Sequence, residues 1–138
     1  MTMDKRFVAV LNKKVEGGKI LNALGHMAAA IAGTYDNPEE MKFIDYQDKD
    51  GGAHVASQNP FIVLRAKNSN QIRTLRNALI EKNIRFVSFT EAMTIGSYQE
   101  QLDRSKETPE EGLEYYGVCA FADQAELADL TKKFSLWN

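Results

Sequence analysis

Cysteine is nearly absent from this 138-residue chain, where Cys119 stands alone. One thiol cannot close an intramolecular disulfide. That excludes a disulfide-framed secreted scaffold and points to a reducing compartment, the cytoplasm. Proline is scarce at three residues, and the nine glycines do not gather into a linker. No apolar run approaches the roughly 20 residues that cross a bilayer, so no membrane contact is expected. The opening, MTMDKRFVAVLNKK, is charged too early for a signal peptide. Neither sign of charge dominates: 17 basic and 19 acidic side chains leave a formal net charge of -2. That balance argues against broad, non-specific nucleic-acid binding and leaves room for a local basic patch. The two histidines lie far from Cys119 in sequence, so no structural zinc site is expected.

What is present is an ordinary core-forming composition, 43% hydrophobic. There is no repeat and no room for a second domain, so residues 1–138 read as one α/β domain with its core at about 6–136. Phe7 to Leu11 reads as a buried strand. Asn12 to Gly18 is a loop, and an Ala-rich helix follows from about Lys19 to Ala32, with Gly33 as its stop. Gly25 inside that helix implies a close approach by a neighbour or a ligand. Asn37-Pro38-Glu39-Glu40 has the pattern of a helix start. Lys42–Gln47 reads as a strand and Asp48 to Gly52 as a turn. Phe61–Ala66 is a strand, and Asn68–Glu81 a helix facing inward through Ile72, Leu75, Ala78 and Leu79. Ile84–Phe89 is a strand, Ser97–Arg104 a helix and Glu114–Ala122 a strand. Asp123 caps a last helix with Glu126 as its capping-box partner, and Phe134–Trp137 folds back onto the domain. The expected assembly is a mixed β-sheet flanked by helices.

The first strand–loop–helix unit carries the clearest chemical pattern. Gly17, Gly18 and Lys19 stand where a first helical turn offers free amides to an anion. The segment is not a P-loop, because spaced glycines and a Gly-Lys-Ser/Thr ending are missing, and it is not a dinucleotide fingerprint. Lys19, Asn22 and His26 recur at three and four residues, so they share one helix face. Ile20, Leu24, Met27 and Ile31 form a separate apolar stripe for the core. A cation, an amide and an imidazole in one line could orient a phosphate or carboxylate, and a neutral His26 could act as a general base. His54, after the acidic turn of Asp48 and Asp50, is a further candidate at the rim. That turn is not a calcium loop, because Asn59 occupies the late glutamate position. Cys119, within GVCAF, reads as a buried, inert thiol. One of Tyr115 and Tyr116 is expected to be exposed.

FVAVLNKKVEGGKILNALGHMAAAIAG resembles the opening of the class-2 peptidyl-tRNA hydrolase fold. Together with Asp48 to His54 and Tyr115 to Gly117, the chain resembles more closely the domain-of-unknown-function family 2000, small and mostly bacterial proteins built on that fold. The likeness covers roughly Arg6 to Leu136. In the hydrolases a Gly-Lys opens the first helix and a histidine follows seven residues after the lysine, as with Lys19 and His26. The resemblance implies a basic substrate site at Lys19 and catalytic or binding roles for Lys19 and His26. The chain departs from the hydrolases elsewhere. Ile20-Leu21-Asn22-Ala23 lacks their glutamine, and the segment from Val87 to Thr108 lacks their aspartate and Pro-Gly loop.

Three readings follow. The first is a module that binds a small anionic ligand or a protein partner around Gly17, Gly18, Lys19, Asn22, His26 and His54, with no cofactor and no metal. The second is a divergent peptidyl-tRNA hydrolase or related ester or amide hydrolase, with a basic surface from Lys13 and Lys14 across Lys19 to Arg65 and with tRNA as its partner. The third is a homo-oligomeric structural module.

Overall fold

The computed structural model describes residues 4–138. Strand β1 (Lys5–Asn12) lies at the centre of a five-stranded sheet ordered β5-β6-β1-β4-β7. Its neighbours are β4 (Phe61–Ala66), parallel, and β6 (Tyr115–Asp123), antiparallel. β5 (Arg85–Thr90) pairs antiparallel with β6, so β1, β4 and β5 all run the same way. β7 (Ser135–Leu136) closes the other edge against β4. The central position of β1 explains its apolar run: both faces are covered.

Each face has its own core. Helix α1 (Gly17–Thr34) lays Ile20, Ala23, Met27 and Ile31 on Phe7, Ala9, Leu11, Cys119 and Phe121. Helix α2 (Ser69–Glu81) and helix α4 (Gln124–Leu130) cover the opposite face through Ile72, Leu75, Leu79 and Leu127 against Val8, Val10 and Val118. α1 comes close to the sheet at Gly117, where a Cβ would meet Leu11 Cδ2 of β1 and Met27 Cε of α1, each at 2.9 Å. Gly25, by contrast, faces open space. The close approach expected of it belongs to a glycine on the strand beneath.

Several boundaries move. α1 starts at Gly17 and runs through Gly33 to Thr34, so the double glycine is helical and Gly33 is no stop. Residues 38–41 form only one 3-10 turn. The strand expected over 42–47 shrinks to β2 (Phe43–Asp45), which pairs with β3 (Val55–Ser57) in a separate hairpin. α2 is capped by Asn68, whose side chain accepts from the Gln71 N–H. Helix α3 (Tyr98–Glu107) is capped by the Ser97/Glu100 box. Asp123 precedes α4 but makes no capping bond. Tyr115 and Tyr116 are both buried, because β6 is covered on its two faces. The tail returns to the sheet, with the Trp137 N–H donating to Val63 O. Among the described residues no helix is long and apolar enough to cross a membrane.

Candidate functional site

The carboxyl ends of β1, β4 and β5 meet at one edge of the sheet, where open α/β folds hold ligands. On the α1 face of that edge lies an open cleft of about 620 Å³. Glu16, Gly18, Lys19, Asn22 and His26 line it from the start of α1. Met93, Thr94 and Ile95, which follow β5, and Gln101 of α3 line the other side. Helical spacing makes the first wall. Lys19, Asn22 and His26 are all exposed, whereas Ile20, Ala23 and Met27 turn to the core.

The start of α1 is uncapped. Glu16 occupies the capping position without a side-chain hydrogen bond to the helix, and the first turn holds no acidic residue. The amides of the first turn therefore have no acceptor from the capping side chain, and Gly18 and Lys19 of that turn line the cleft. Lys19 forms no ion pair among the described residues. His26 makes no side-chain hydrogen bond among them either. Its ring instead lies on Phe89, with centroids 5.4 Å apart and planes 23° from parallel. Across the cleft, Thr94 Oγ1 donates to Glu91 O (2.6 Å), and Arg104 Nη2 meets Glu91 Oε1 at 2.8 Å, fastening α3 to the end of β5.

Gly17, Gly18, Lys19, Asn22 and His26 are thus neighbours on one surface. His54 is not with them. It sits in the β2–β3 hairpin, where Nε2 pairs with Asp48 Oδ2 at 2.8 Å. Asp48 also accepts from the N–H groups of Asp50 and Gly52. The bond to His54, then those two N–H groups, hold its carboxyl below the usual range. This is a well-satisfied exposed turn. Lys13, Lys14 and Arg65 are exposed at the same sheet edge as Lys19 but do not line the cleft. Cys119 is fully buried, as expected, and burial pushes its thiol up to about 12, which disfavours the reactive thiolate. No group of His, Cys, Asp and Glu fit to hold a metal occurs among the described residues.

The second wall was beyond sequence reasoning. On the first wall only Glu16 was missed, and its signal is its place directly before the double glycine. Met93, Ile95 and Gln101 lie about 70 residues or more from Lys19 and meet it only because β5 is parallel to β1.

A family model for proteins of unknown function, DUF2000, matches residues 5–138. The chain belongs to that family. Its fold is similar to that of a solved structure of a protein of unknown function, Atu0240, from Agrobacterium tumefaciens strain C58. That likeness has a TM-score of 0.83 and 17% identity over 99% of this chain and 100% of the other. No curated protein matches the sequence. At that identity the likeness concerns the DUF2000 fold alone.

Proposed function

We propose that this DUF2000 protein binds an anionic ligand in the cleft at the start of α1. The observation that carries the reading is an unpaired polar stripe on an open surface. Among the described residues Lys19 has no carboxylate partner, Asn22 and His26 have no side-chain hydrogen bond, and the helix start beside them has no side-chain cap. A cation and free amides converging on one end of a cleft favour a phosphate or carboxylate there.

The Lys19–His26 spacing also supports reading the fold as class-2 peptidyl-tRNA hydrolase-like. Hydrolysis of an ester is the second reading, because Glu16 and Thr94 bring a carboxylate and a hydroxyl to the same cleft. The binding reading ranks first, since Thr94 Oγ1 is already engaged with Glu91 O.

Titration of the full chain with inorganic pyrophosphate, followed by amide NMR, tests this. Saturable shifts at Gly17, Gly18 and Lys19 are expected, and Lys19→Ala should remove them. Shifts spread evenly over Lys13, Lys14 and Lys67, or unaltered binding by Lys19→Ala, would overturn it. A cleavage assay on N-blocked aminoacyl-tRNA with the same variant separates the hydrolase reading: no turnover in the parent removes it.

A further inference from the structure

The anion reading accounts for one end of the cleft only. A bare phosphate beside Lys19 would leave most of the roughly 620 Å³ empty. The far end has a different character. Phe89, buried in the core, continues to Tyr116 with ring centroids 6.2 Å apart. His26 is stacked on the outer side of that pair. Its second ring face is turned away from Phe89, and the residue is exposed and lines the cleft. Met93, which is 40% exposed and whose sulfur accepts from the Thr90 N–H at 3.4 Å, and Ile95 line the same cleft. A cleft that holds a stacked flat ring together with a thioether and an aliphatic side chain suits a planar apolar group. An exposed imidazole held flat by a rigid aromatic base loses little freedom when another ring stacks on it.

The two ends are seven residues apart on α1, about 10 Å along the helix axis. Asn22 stands between them on the helix and Gln101 lines the same cleft, so both offer amide donors and acceptors to a polar linker. We propose that the ligand is a ring-bearing organic anion with the dimensions of a nucleoside diphosphate. Its ring stacks on His26 between Met93 and Ile95, and its terminal anion lies at Lys19. This rests on the anion reading for the Lys19 end and adds the His26 end.

The test compares adenosine 5′-diphosphate, inorganic pyrophosphate and adenosine by calorimetry on the full chain. The diphosphate should bind about tenfold more tightly than pyrophosphate, the scale of one stacked base. His26→Ala should remove that advantage, so that the diphosphate and pyrophosphate bind the variant equally, and His26→Phe should restore it. An intermolecular NOE between the adenine and His26 ring protons, read on the parent chain, gives the same answer without a variant. Equal affinity for the two anions, or no NOE, overturns the ring site and leaves the anion reading standing. Binding of neither anion overturns both.

Discussion

Two polar regions share one edge of the sheet and lie on its opposite faces. On the α2 face, Asn12 Nδ2 donates to Tyr115 O (3.1 Å), and the Tyr115 N–H donates to Ser69 Oγ (2.8 Å). The Tyr115 hydroxyl donates to Glu110 Oε2 at 2.7 Å. Arg73 Nε reaches the same oxygen at 2.9 Å, and Nη2 binds the carbonyls of Glu110 and Leu113. Every member has a partner, and the Arg73 guanidinium also covers the Tyr115 ring at 5.2 Å. On the α1 face, Lys19, Asn22 and His26 have no such partners. A closed network fixes where β6 begins and so specifies the fold. An open one has its bonding capacity left for something else. The contrast separates structural polar residues from candidate ligand contacts in one molecule.

Arg73 is the place to break the contrast hardest. Its side chain is 18% exposed and serves two carbonyls and a carboxylate together. Arg73→Met keeps the packing and strands those acceptors, so it should cost about 2–3 kcal/mol in urea unfolding. Pyrophosphate binding by the folded variant should be unchanged. A variant as stable as the parent would show that the network merely decorates the fold.

How much of this could be read from the sequence differs between the two regions. The α1 stripe was legible because one helix carries it, and helical spacing is a local property. The network was not. Asn12, Glu110 and Tyr115 come from three separate segments, Ser69 and Arg73 from a fourth, α2, and no spacing rule links the four. The core was legible where amphipathic period sets it, as at Ile72, Leu75 and Leu79. Short pairings such as β3 and β7 were missed because two or three residues carry no period. Gly25 misled because a helical glycine implies contact only when another surface is near, and here none is.

A smaller effect sharpens the same contrast through pH. The Tyr115 hydroxyl, then Arg73, hold the Glu110 carboxyl below its ordinary value of 4.5. Tyr115 itself is pushed up to about 12 by burial and by that bond. A carboxyl lowered on folding adds stability above its unfolded value, and this is lost as pH falls through the folded value. The Glu110 side chain is 37% exposed, so the contribution is screened to less than about 1 kcal/mol. Glu110→Gln should therefore be less stable than the parent at neutral pH, and the two should converge below pH 4.5. A gap that stays constant down the acid limb would mean that packing, not charge, holds Glu110.

The smallest effect lies at Glu16, where the cleft contradicts itself. Its carboxylate shares the site with Lys19, and Oε1 would stand 3.6 Å from a Cβ on Gly18. It makes no bond to the helix amides, so it stabilises α1 only through the favourable end of the helix dipole. An anion entering there is repelled by Glu16 while Lys19 attracts it. Exposure screens that repulsion to a few tenths of a kcal/mol, worth about twofold in affinity. Glu16→Gln should thus bind pyrophosphate about twofold more tightly, and the gain should shrink as salt is raised. Unchanged or weaker binding in the variant would reverse the assignment, because the pyrophosphate would then lie out of reach of the Glu16 charge.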